Sequence, residues 1–92
     1  MTAQTLPERL RALLEQGFAP TALDIRDDSD RHAGHAGASA GGHYAVQIRS
    51  AQFTGMPPLA RHRAVYAALA NLMGNGIHAL SLQTLAPDEP AP

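Results

Sequence analysis

Between residues 28 and 42 the chain reads DSDRHAGHAGASAGG, fifteen consecutive positions without one large apolar side chain. Such a stretch adds nothing to a core, so it divides the apolar residues into two groups that must fold around it. Its flanks alternate: Leu23 and Ile25 share a face over residues 21–27, and Tyr44, Val46 and Ile48 share one over residues 43–50. A period of two marks a half-buried strand. Two strands on either side of this segment predict an antiparallel hairpin with an unusually long, mobile connection.

The outer segments carry helical spacing instead. Thr5, Pro7 and Glu8 make a helix start, with Thr5 as N-cap and Glu8 completing a capping box. Leu6, Leu10, Leu13 and Leu14 then recur at helical intervals, and Gly17 supplies a left-handed stop, which predicts a helix over residues 6–16 with Phe18 folded back over its end. Phe53, Gly55 and Pro57-Pro58 mark a turn. A second helix is expected over residues 58–73, with Leu59, Val65, Tyr66, Leu69, Leu72 and Met73 as its apolar stripe and Gly74-Asn75-Gly76 as its end. Residues 77–85 read as a third strand. The last residues, 87–92, contain no apolar anchor and are expected to be a disordered tail behind a single domain of residues 1–86.

The order is therefore α-β-β-α-β. The hairpin makes strands one and two antiparallel, and the helical crossover makes strands two and three parallel if they share the sheet. The predicted fold is α+β: a two-layer domain with a three-stranded mixed sheet and two helices on one face.

Composition narrows the function. Seven Arg, no Lys and eight acidic residues give a net charge of −1, which argues against a polycationic nucleic-acid coat, and the 45% hydrophobic content argues against an acidic disordered chain. No apolar run approaches the roughly 18 residues of a membrane helix. The first residues show neither the basic nor the apolar region of a secretory signal, so a soluble, cytoplasmic protein is expected. There is no Cys to act as a nucleophile, a disulfide partner or a thiolate ligand. No Ser/His/Asp arrangement, phosphate loop or dinucleotide fingerprint is present, and the expectation is a protein that is not an enzyme.

The topology acts on the five histidines. Strand three starts at the end of the sheet where the hairpin connection lies. His78 opens that strand, His43 opens strand two, and His32 and His35 lie in the connection. Four imidazoles thus converge on one edge, and imidazole is the commonest metal ligand. His62, on the second helix, does not join them. The bland alternative, solvated strand-end and loop histidines, weighs about evenly against a metal role. Arg61-His62-Arg63 near the start of the second helix is the other constellation, able to hold a phosphate or a partner carboxylate. Its bland counterpart is a solvated basic turn, with His62 turned toward the core. Gly34-His35-Ala36-Gly37 spells the GXXG of nucleotide-clamping loops, but here it joins strands rather than helices.

Taken together, Phe53-Thr54-Gly55, Arg61-His62-Arg63, Tyr66-Ala67-Ala68-Leu69 and Ile77-His78-Ala79-Leu80 resemble the BolA family, as does Asp27-Asp28-Ser29-Asp30-Arg31-His32 ahead of His43-Tyr44. The resemblance implies a class II KH-like fold and a monothiol glutaredoxin partner. It also implies a [2Fe–2S] cluster held between the two chains with glutathione, and none in the isolated chain. Carried over by position, the ligands are His78 and a hairpin histidine, His32, with His35 as a second candidate because the hairpin is longer and richer in Gly and Ala than usual. The resemblance also implies a compatible apo heterodimer through the Arg61-His62-Arg63 region. Some members are transcriptional regulators, so DNA is the alternative partner, with Arg49, Arg61 and Arg63 as phosphate contacts.

Overall fold

The computed structural model of the protein describes residues 5–28 and 42–91. Its elements are α1 (Leu6–Phe18), β1 (Ala22–Asp27), β2 (Gly42–Arg49), a single 3₁₀ turn (Ala51–Phe53), α2 (Pro58–Ala68) and β3 (Ile77–Leu85). The sheet order is β1-β2-β3. β1 and β2 are antiparallel, with Leu23 opposite Ile48 and Ile25 opposite Val46, and β2 and β3 are parallel, with Tyr44 opposite Leu80 and Val46 opposite Leu82. The expected α+β layering is what forms: both helices pack on the face carrying Tyr44, Val46 and Ile48, and Leu10, Leu14, Phe18, Val65 and Leu69 complete the core from the helical side.

The start of α1 follows the sequence signal. Thr5 accepts the Glu8 amide N–H at 3.3 Å and donates from Oγ1 to Glu8 Oε1 at 2.9 Å. Its end differs from expectation. Gly17 stays helical, Phe18 is the last helical residue, and Ala19 takes the left-handed conformation (φ 45°, ψ 54°) while donating its N–H to Glu15 O. The reason is burial. Phe18 lies four residues after Leu14 on the same stripe, and its ring packs 5.3 Å from that of Phe53. Burying a Phe stabilises by about 1.5–3 kcal/mol, more than the roughly 1 kcal/mol that a helical Gly costs.

α2 departs further. It ends at Ala68 rather than 73, and the chain passes into successive turns in which Leu72 N–H bonds to Leu69 O at 2.8 Å and Ile77 N–H to Leu72 O at 3.0 Å. This tightening buries Leu69, Leu72 and Ile77 together. Gly76, at φ 129°, makes the last reversal, and a Cβ there would come within 2.9 Å of the Leu6 side chain. The apolar stripe is also rotated from expectation. Leu59 is 62% and Tyr66 38% exposed, whereas Arg61 is only 6% exposed and shares the inward face with Val65. α2 has almost no amphipathic bias, so the spacing of its apolar residues could not select the buried face.

Two polar devices fasten the ends of these elements. Ser50, fully buried, donates to Phe18 O at 2.7 Å and accepts the Gln52 N–H at 3.1 Å, so one hydroxyl ties the end of α1 to the 3₁₀ turn. Residues 87–89 do not behave as an unanchored tail. Arg49 Nη1 donates to the carbonyls of Ala86, Pro87 and Glu89 at 2.9, 3.1 and 2.6 Å. Glu89 meets Arg61 in a bidentate pair at 2.5 and 2.9 Å and accepts the Ala86 N–H at 2.9 Å. The anchor is polar rather than apolar, which is why hydropathy did not reveal it.

Two outcomes follow. Ser50→Ala leaves the buried Phe18 carbonyl without its donor and lowers stability by about 1–3 kcal/mol in urea unfolding. The Glu89 carboxyl is held at about 2, first by its hydrogen bonds from Arg61 and then by the Ala86 N–H. A depressed carboxyl contributes stability that is complete above its unfolded value and is lost as pH falls toward the folded value. Melting temperature should therefore decline as pH drops from about 4.5 toward 2, and Glu89→Gln should flatten that part of the decline.

Candidate functional site

Because β2 and β3 run parallel, their first residues lie side by side: Gly42 pairs with Ile77, and Gly42 N–H bonds to Gly76 O at 2.7 Å. The register then slips, and His43 pairs with Ala79, which makes His78 the extra residue of a local irregularity. A bulge of this kind re-aims a side chain at a sheet end. Gly42 suits the place, since a Cβ there would stand 2.4 Å from the Tyr44 ring. The imidazoles of His43 and His78 come together with centroids 5.2 Å apart and planes inclined by 53°. His78 is exposed and His43 half-buried.

The end of β1 reaches the same edge, where Asp28 N–H bonds to His43 O at 2.7 Å. Both stems of the hairpin connection, Asp28 and Gly42, therefore stand beside the imidazole pair. His32 and His35 lie outside the described residues. Tyr44, next to His43 on β2, has its hydroxyl pKa pushed upward, by burial first and by the Asp27 charge second. Among the described residues no group of three or more His, Asp or Glu side chains lies close enough to hold an ion. What the edge offers is imidazole nitrogen, a donor suited to borderline metals and to one iron of a [2Fe–2S] centre.

Arg61, His62 and Arg63 do not form one cationic patch. Arg61 turns inward and donates to Met56 O at 2.8 Å, Thr84 O at 3.1 Å and both Glu89 oxygens, with its guanidinium 6.0 Å from the Phe53 ring centre. Its pKa is raised, chiefly by the Glu89 hydrogen bonds. His62 is half-buried and Arg63 is exposed. Arg63 shares the outward face of α2 with Leu59 and Tyr66, whose hydroxyl donates to Leu80 O at 3.2 Å. Sequence reasoning missed Ser50, Glu89 and the structural use of Arg49. Their partners stand 28 to 40 residues away, and no local pattern announces them.

The uncovered face of the sheet is polar. Asp24, Arg26, Gln47, Ser81 and Gln83 line a shallow concavity of about 210 Å³, and Arg26 forks onto Asp28 at 2.9 and 3.4 Å. That lining has no aromatic ring. No described helix is long and apolar enough to cross a membrane.

Fold and edge together define a class: a two-layer α+β domain with an imidazole pair where the parallel strands begin. Comparison with known proteins agrees with the fold. The sequence matches the family described as BolA-like protein over residues 14–89. It is 41% identical over 78 residues to BolA-like protein 1 of Mus musculus, covering 85% of this chain and 56% of that protein. It is 39% identical over 77 residues to the DNA-binding transcriptional regulator BolA of Escherichia coli, covering 84% of this chain and 71% of that one. Among solved structures, BolA1 from Arabidopsis thaliana superposes with a TM-score of 0.84 at 36% identity over 98% of this chain and all of that one. The BolA domain of SufE1 from the same plant gives 0.82 at 33% identity over 97% of this chain and all of that one. The chain belongs to the BolA family. It spans a little over half the length of the mammalian relatives that it matches.

The unequal roles of the two arginines are open to measurement. Arg61→Gln should lower the melting temperature clearly, whereas Arg63→Gln should stay within about 0.5 kcal/mol of the parent in chemical unfolding.

Proposed function

We propose that the protein is a non-enzymatic adaptor that binds a monothiol glutaredoxin and shares a glutathione-ligated [2Fe–2S] cluster with it, acting in the cytoplasm in iron–sulfur trafficking or iron regulation. The observation that carries this reading is the meeting of His78 with His43 beside both stems of the hairpin connection. A chain with five His and no Cys can supply imidazole but no thiolate to such a cluster, so thiolates must come from the partner and from glutathione. In that arrangement His78 and one of His32 or His35 are the ligands of this chain. Imidazole in place of thiolate lowers the negative charge at the iron and raises the potential, as in Rieske centres. The family resemblance supplies the partner's identity. The exposed face of α2, with Arg63, Leu59 and Tyr66, is the companion surface for an apo heterodimer, and Arg61 supports that helix from beneath.

The second reading is a DNA-binding regulator, favoured by the name of the Escherichia coli relative. Arg63 is the best-placed phosphate contact, because Arg49 and Arg61 already serve the C-terminal segment. A net charge of −1 predicts weak non-specific binding.

Size-exclusion chromatography with a monothiol glutaredoxin, with and without iron, sulfide and glutathione, tests the adaptor reading. A visible-absorbing heterodimer is expected. His78→Ala, and the double variant His32→Ala/His35→Ala, should alter its visible circular dichroism; unchanged spectra in both would defeat the ligand assignment. A mobility shift that weakens steeply as salt rises, with no heterodimer formed, would favour the DNA reading instead.

A further inference from the structure

We infer that His43 and His78 also form a two-imidazole site for a borderline divalent cation, with zinc as the best geometric fit, in the protein without any partner. The inference does not rest on the adaptor reading, and it assigns a ligand role to His43. Imidazole nitrogens sit about 2.0–2.1 Å from a tetrahedral zinc, which places the ring centres of two such ligands roughly 5 Å apart. The two rings here are 5.2 Å apart, on neighbouring strands.

The backbone holds the two strands that carry these rings in fixed register. β2 and β3 are joined by the sheet on both sides of the irregularity, the Gly42 N–H is bonded to Gly76 O, and the Asp28 N–H is bonded to His43 O. Ligands on strands already in register lose less freedom on binding than ligands on a loop. His78 is exposed, so an ion can reach the pair from solvent. A ligating imidazole uses one nitrogen and commonly donates from the other to a neighbouring acceptor. Binding is therefore compatible with other contacts of His43. Two imidazoles leave two positions of a tetrahedral ion for water or for donors of another molecule. That is an open site rather than a closed structural one.

The test uses the full chain alone, with zinc chloride as the probe and no iron, sulfide, glutathione or glutaredoxin. Isothermal titration should show one zinc per chain. His43→Gln and His78→Gln should each weaken binding by about tenfold or more, while His62→Gln leaves it unchanged. Nitrogen-detected imidazole NMR of the unsubstituted protein, which needs no variant to fold, should show zinc moving the His43 and His78 resonances first. Equal zinc affinity in the parent and in His43→Gln, or zinc shifts confined to other imidazoles, would overturn the site. The adaptor reading fails through His78 and the hairpin histidines in the presence of glutaredoxin. The zinc site fails through His43 in its absence, so the two outcomes are separable.

Discussion

The parallel pairing of β2 with β3 is the constraint on which the rest of the molecule depends. A parallel neighbour can be reached only by a crossover, so α2 and the turns after it must carry the chain from one end of the sheet to the other. That return sets the start of β3 beside the start of β2. An antiparallel third strand would bring the same histidine to the opposite end of the sheet. The irregularity between Gly42 and His43 completes the arrangement by leaving His78 as the extra residue of its strand.

The same crossover makes α2 a helix with two tasks. Its inner face presents Arg61 and Val65, and Arg61 reaches past the core to Glu89 and Thr84 O. Its outer face presents Leu59, Arg63 and Tyr66. Through Arg61 and Tyr66, α2 satisfies two carbonyls of β3, at Thr84 and Leu80. β3 is an edge strand, and side chains on its carbonyls discourage pairing with another chain. Arg49 holds the segment after β3 from the sheet side, so two guanidiniums and one carboxylate close the C-terminal end of the domain.

Much of this was legible in the residues, and the parts that were not share a cause. Alternation placed β1 and β2, and period 3.6 with a capping box placed the start of α1. The topology brought His43 and His78 to one edge before any coordinates. The end of α1 was misplaced because Gly17 is a strong local stop that a Phe18–Phe53 contact across 35 residues overrides. The buried face of α2 was misassigned because apolar spacing treats Arg as a surface residue. A buried Arg is stable only with a partner, and that partner lies 28 residues further on. Glu89 was read as part of a loose tail for the same reason.

Sequence alone determined the two helices and three strands, their order and the directions in which the strands pair, because these follow from local periodicity and chain connectivity. Tertiary structure alone decided where the helices stop, which arginine is spent inside the fold, how residues 86–89 are fastened, and that two imidazoles meet at 5.2 Å. Those outcomes turn on the balance between burial and hydrogen bonding among residues far apart in the chain. No local pattern records that balance until the strands are in register.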